Sequence, residues 1–260
     1  MIPLNNSLSK AEAFIPSLSK DFVKNQRVKR IPEYINTLPI LSSLQEKGWE
    51  LKYGRDLRNK NSKKPTFHRF HLHHPDLKMN ETNSKHFKSK SFAQINVVNS
   101  CDGKSPLQLN IGAYRQICSN GLMGWSSVHN MKIKHNSDGF GRIESALNKI
   151  NDYGQSMIDT FKSFQNVILT SNQLKELTNE ALKIRFGDTN SDAMQLNHIR
   201  RNEDVGDDLW TIFNRIQENL TSSTLLINEN GQLVNRGRIT STSEDIKVNT
   251  QLTALAASYV

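Results

Sequence analysis

Cysteine is almost missing from this chain: Cys101 and Cys118 are the two thiols among 260 residues. Two thiols cannot build the disulfide framework of a small secreted domain or a four-cysteine zinc site, and they read as small, partly buried core residues. Long hydrophobic runs are missing as well, and no stretch approaches the roughly 20 apolar residues that span a bilayer. The N-terminal MIPLNNSLSKAEAF has neither the basic start nor the apolar centre of a signal peptide, so a cytoplasmic protein without membrane contact is expected. No Walker loop, dinucleotide fingerprint or nucleophile elbow occurs, and no carboxylates pair as an acid and a base. No catalytic residue and no cofactor is therefore expected. Hydrophobic residues make up only 36 % of the chain, yet they cluster in periodic blocks, which is enough for a packed core.

What the chain has in excess is positive charge, unevenly placed. Residues 47–90 hold twelve Lys or Arg against four Asp or Glu, a local charge of +8 within a total of +9. Residues 171–245 hold eight basic and twelve acidic side chains, a local charge of −4. A basic segment beside a mildly acidic remainder is an electrostatic footprint for a polyanion.

The periodicity changes along the chain. Residues 1–30 read as a flexible arm with a basic end. Leu38, Leu41 and Leu44 recur at helical spacing up to Gly48, and residues 49–54 alternate like a strand. Arg55 to Pro65 reads as a basic hairpin loop, and Thr66 to His73 as its return strand, with Arg69, His71 and His73 on one face. In the next strand Gln94, Asn96 and Val98 alternate with Ala93, Ile95 and Val97, and in the one after it Leu107, Leu109, Ile111 and Ala113 share a side. From residue 141 the period is helical: a stripe from Ile143 to Phe164, a helix capped at Thr170 and stopped at Gly187, and a third over about 207–220. A loop or hairpin around Asn230-Gly231 and a short C-terminal helix complete the chain. Strands first and helices after make this an α+β protein, its basic hairpins and antiparallel sheet packed on C-terminal helices. The expected organisation is a basic arm over 1–30, a β-rich region over 31–140 and a mainly helical region over 141–260 that packs with the sheet as one domain.

Four stretches stand out: Gly48-Trp49, His68-Arg69-Phe70, Asn99-Ser100-Cys101-Asp102-Gly103 and, most specifically, Gly112-Ala113-Tyr114-Arg115-Gln116-Ile117-Cys118-Ser119-Asn120-Gly121-Leu122. Together they resemble a family of bacteriophage, prophage and plasmid proteins known as domain of unknown function 932. Leu209 to Asn219 and the tail from Arg238 also fit, so the likeness runs from about residue 28 to the end. Where that family usually has a His before Asp-Gly, this chain has Cys101, which argues against an imidazole role there. The resemblance implies a mobile-element setting and no activity. The order of helix, basic hairpin, strands and long helices is also similar to Rad52-type single-strand annealing proteins, an architectural likeness that implies single-stranded DNA in a basic groove and a ring of subunits.

Lys52, Arg55, Arg58, Lys60, Lys63, Lys64 and Arg69 lie within eighteen residues and are interleaved with Tyr53, Phe67 and Phe70. Cations spread along a groove meet phosphates, and aromatics stack on bases, so these residues are the expected nucleic-acid contacts, with Lys104 and Arg115 as second contacts. Arg115 could equally meet a buried carboxylate. His71 and His73 share a strand face and form the weak candidate for a metal pair, though no third ligand stands at a regular spacing. The leading expectation is a non-enzymatic nucleic-acid-binding protein of a mobile element that favours single-stranded DNA and self-associates as a homo-oligomer. Two other classes compete: an anti-defence protein that blocks a host defence protein by contact, and a metal-dependent nuclease built on Glu203-Asp204 and Asp207-Asp208.

Overall fold

The structure, a computed structural model, describes residues 1–18, 35–57, 67–80, 90–101, 105–115, 123–124, 130–201 and 204–260. In chain order its elements are β1 (Ile2–Pro3), α1 (Leu8–Phe14), α2 (Thr37–Glu46), β2 (Glu50–Leu57), β3 (Phe67–Asn80), β4 (Lys90–Ser100), β5 (Leu107–Arg115), β6 (Met123–Gly124) and β7 (Asn130–Ile133). Then follow α3 (Ser137–Asn148), α4 (Ile150–Phe164), α5 (Ser171–Phe186), α6 (Leu209–Ser222), β8 (Leu225–Glu229), β9 (Gln232–Arg236) and α7 (Thr242–Ala257). Strands β1 to β6 form one sheet in sequence order, β7 pairs with β5, and β8 and β9 form a separate hairpin. The fold is α+β.

The chain divides into two compact units that interleave in sequence. The first comprises Met1–Lys78, Phe92–Ile111 and His129–Gln155; the second comprises Met79–Ser91, Gly112–Val128 and Ser156–Val260. The first unit buries Leu41, Leu44, Trp49, Leu51, Phe70, Leu72, Ile95, Leu109 and Ile111. Helix α2 begins where the Asn36 side chain accepts from Leu38 N, and ends at Gly48, whose φ of +91° suits glycine. Trp49 follows at once and donates its Nε1–H to Asn151 Oδ1 at 2.8 Å, which orients the ring within the core.

Of the arm expected over 1–30, residues 1–18 hold β1 and α1, and the basic end lies outside the described residues. Ile2 and Pro3 pair with Gly54 and Tyr53 of β2, and Leu4, Ala11 and Ile15 are fully buried. One edge strand and one short helix carry no long apolar stripe, so nothing periodic announces them. Gly54 is where they meet the sheet: a Cβ there would stand 2.9 Å from both Leu4 and Phe70.

In the second unit, Phe161 and Phe164 of α4 meet Trp210 and Phe213 of α6, with ring centroids 4.8–5.8 Å apart. Thr170 and Gln173 form a capping box at the start of α5, and Gly187 stops it. Asn230 and Gly231, both at positive φ, close the β8–β9 hairpin where the sequence expects a turn.

Candidate functional site

The sheet of the first unit has two faces of different chemistry. One carries Leu51, Phe70, Leu72, Ile95, Val97, Leu107 and Leu109, together with one polar chain that is closed on itself. In that chain Asn99 Nδ2 donates to Ile35 O and to Thr37 Oγ1, each at 2.9 Å. The Thr37 hydroxyl then donates to His68 Nε2 at 2.7 Å, His68 Nδ1 donates to Ser17 Oγ at 3.1 Å, and Ser17 donates to Asp56. Burial pulls the His68 imidazole down to about 4, against a smaller opposing effect from its Ser17 hydrogen bond, so it is neutral at pH 7. This chain ties α2 to β2, β3 and β4.

The opposite face is polar. Its register is set by a β-bulge at Lys52: Leu51 pairs with Leu72, and Tyr53 pairs with His71. Two residues of β2 therefore answer one of β3, which keeps Leu51 in the core and turns Tyr53 and Arg55 to the polar side. Arg55 stands directly across from Arg69. Gln94 Nε2 donates to His71 Nδ1 at 3.1 Å, and Gln94 Oε1 accepts from His73 Nε2 at 3.0 Å. On β5, Asn110 alternates with the core residues Leu109 and Ile111, and it pairs with Asn130 of β7. Arg69, His71, His73, Gln94, Asn96 and Asn110 are all buried in spite of their polarity.

The electrostatics of this face are positive. Burial first, then the charges of Arg69, His73 and Arg55, hold His71 well below its ordinary value. Burial lowers His73 to about 4, although its hydrogen bond to Gln94 works the other way. Lys52 is half-buried and paired with Glu50 at the edge of the face. Arg55 directly opposite Arg69 adds to the positive potential of this face.

The expected contacts divide accordingly. Lys52 and Arg55 lie half-buried on β2, and Arg69 lies on the polar face with 4 % of its surface exposed. Arg58, Lys60, Lys63, Lys64 and Lys104 fall outside the described residues. Arg115 is in the second unit and forms a buried ion pair with Asp204, the carboxylate alternative to a phosphate contact. The pair His71 and His73 shares a face as expected, but Gln94 sits between the rings, and no group of three or more potential metal ligands occurs among the described residues. Asp208 caps α6 by accepting from Thr211 N, and Asp204 is committed to Arg115, which gives two of the four candidate nuclease acids other work. Sequence reasoning missed Gln94, Asn96 and Asn110. Their alternation with Ala93, Ile95, Leu109 and Ile111 was the available signal, since it marks a polar face without saying that the face is buried.

Among the described residues no helix is long and apolar enough to cross a membrane. The fold and the face define an α+β protein whose distinctive chemistry is set on a sheet. The chain belongs to the domain of unknown function family DUF932, whose model matches residues 32–252. It is similar to the UPF0380 protein YfjQ of Escherichia coli (strain K12), with 26 % identity over 265 residues covering all of this chain and 94 % of the relative. The UPF0380 protein YafZ of the same organism is similar to the same extent, with the same coverage. No solved structure matches.

Proposed function

We propose that this protein binds nucleic acid through the β2–β3 ribbon and acts without catalysis, as a single-strand-binding, annealing or protecting factor of a mobile element. The observation that carries this reading is the pairing of β2 with β3 up to Leu57 and Phe67, with Arg55 across from Arg69 near its end. The segment that joins them, 58–66, contains Arg58, Lys60, Lys63 and Lys64 and no acidic residue. Cations gathered at one end of a paired ribbon suit a phosphate backbone, and Tyr53 on the same ribbon supplies an aromatic ring to a base. The mobile-element setting comes from the phage and plasmid company of the family, and annealing from the order of elements shared with Rad52-type proteins.

The test is fluorescence anisotropy with labelled single- and double-stranded DNA and RNA at two salt concentrations, beside the triple variant K60E/K63E/K64E. The expected result is binding whose log-affinity falls by about 0.7 per contacted phosphate for each tenfold rise in salt on a single strand. The triple variant is expected to weaken binding at least tenfold. Binding that ignores salt, or no binding at all, would overturn the reading and move the search to a host protein as the target.

A further inference from the structure

Hydrogen-bond accounting on the polar sheet face leaves specific donors unanswered. Because Gln94 Nε2 donates to His71 Nδ1, the neutral His71 ring carries its proton on Nε2. That Nε2–H has no hydrogen-bond partner, although the residue is 98 % buried. The Nε–H of Arg55 also has none, and neither does the Asn110 amide, which is fully buried on the same face. Native proteins satisfy the large majority of buried polar groups, and each exception asks for a missing partner. The acid nearest in register, Glu50 opposite His73, is engaged by Lys52 and does not answer them.

We infer that this face holds a phosphoryl oxyanion, bound by Arg55 and His71 within the field of Arg69. The register makes the geometry workable. Arg55 and Arg69 are direct cross-strand partners, about 5 Å apart at Cβ, and Arg55 and His71 are diagonal neighbours at about 7–8 Å. Side chains at those separations can converge on a group the size of phosphate. Two N–H donors beside a second guanidinium carry positive charge and no carboxylate, which is complementary to an oxyanion; the unanswered Asn110 Oδ1 on the same face is a neutral acceptor and adds no negative charge. The unanswered donors separate this face from the His68 chain, where every hydrogen bond is already made.

The oxyanion can be one phosphate of a polynucleotide or that of a free mononucleotide. The first source deepens the proposed function and rests on it; the second does not need it. The experiment is titration of the full chain with inorganic phosphate, dTMP and a labelled dT20 oligonucleotide, against chloride at matched ionic strength. Thermal stability and the ¹⁵N resonances of the His71 ring are the readouts. Saturable stabilisation by phosphate or dTMP, with a shift of the His71 Nε2 resonance, is expected in the wild type and in K60E/K63E/K64E alike. R55Q, at a half-buried position, is expected to weaken that binding about tenfold, the size of one lost charge-assisted hydrogen bond. H71Q gives the second variant, and circular dichroism establishes that each is folded. If dTMP binds and dT20 does not, the oxyanion site stands and the nucleic-acid function falls. If dT20 binds while no anion saturates the face, or while R55Q and H71Q bind as the wild type does, the oxyanion inference is overturned and the donors are hydrated. The nucleic-acid function then stands without it.

Discussion

The two faces of one sheet bury polar side chains in opposite ways. On the core side, Asn99, Thr37, His68, Ser17 and Asp56 pass hydrogen bonds from one to the next, and each donor finds an acceptor. On the other side, His71 Nε2, Arg55 Nε and the Asn110 amide end without a partner. A closed polar network rigidifies a fold and specifies its register, whereas buried polar groups without partners cost stability. The difference teaches that burial of polar groups is not by itself a sign of function; what matters is whether their hydrogen bonds are complete.

The largest effect is expected outside the sheet and would sharpen the meaning of a completed polar pair. Arg115 and Asp204 have side chains only 5 % and 2 % exposed, so R115A leaves a buried carboxylate without its cation. A loss of about 3–5 kcal/mol in urea unfolding is expected, with little change in oligonucleotide affinity once the variant is kept folded at low temperature. The double variant R115M/D204L should recover most of the loss, because well-packed apolar residues replace such pairs at small cost. A stable R115A that binds dT20 more weakly would return Arg115 to the nucleic-acid contacts.

The next test sets the two faces directly against each other. N99L removes donors that serve Ile35 O and Thr37 Oγ1, and should cost about 2–3 kcal/mol. N110L removes a buried side-chain amide that has no hydrogen-bond partner, and should be neutral or stabilising by about 1 kcal/mol. Equal losses at the two positions would erase the distinction between the faces.

Acid should unlock the closed network. His68 titrates at about 4 in the folded chain and at about 6.5 when unfolded. Its folded value is depressed, so the unfolded state takes up the proton first. The stability from neutral His68 is present in full above pH 6.5 and is lost as pH falls toward 4. Between pH 7 and pH 5 that loss comes to about 2 kcal/mol from His68, with a similar contribution from His73, and His71, held well below its ordinary value by burial, adds to it in the same direction. Urea midpoints at the two values measure it, and H68Q should flatten the dependence by about a third.

Much of this was legible from residue order. The Leu38, Leu41, Leu44 spacing marked α2, Thr170 and Gly187 marked the ends of α5, and Asn230-Gly231 marked the hairpin. The site was legible only in part. A strand that alternates Gln94 and Asn96 with Ala93 and Ile95 looks the same whether its polar side meets water or lies buried, because periodicity reports faces and not what covers them. The bulge at Lys52 was hidden for a related reason: regular alternation would have put Tyr53 with Leu51 in the core. Arg115 left its partner open because Asp204 lies 89 positions away, a separation that no local pattern spans.

The smallest expected effect tests whether the open face extends to its exposed edge. Glu50 and Lys52 are each 39 % exposed and form a pair worth about 0–1 kcal/mol, so E50Q should barely move the urea midpoint. The same substitution releases the Lys52 ammonium and removes the carboxylate that stands opposite His73. Phosphate affinity should then rise, by about twofold to threefold at low salt, and the gain should shrink as salt screens it. The asymmetry between almost unchanged stability and improved binding is what an anion-binding edge requires, since a purely structural pair would lose a little of the first and gain none of the second. If E50Q left dTMP and dT20 affinities unchanged at low salt, the anion-binding face would end at Arg55 and His71, with Lys52 serving only its neighbour.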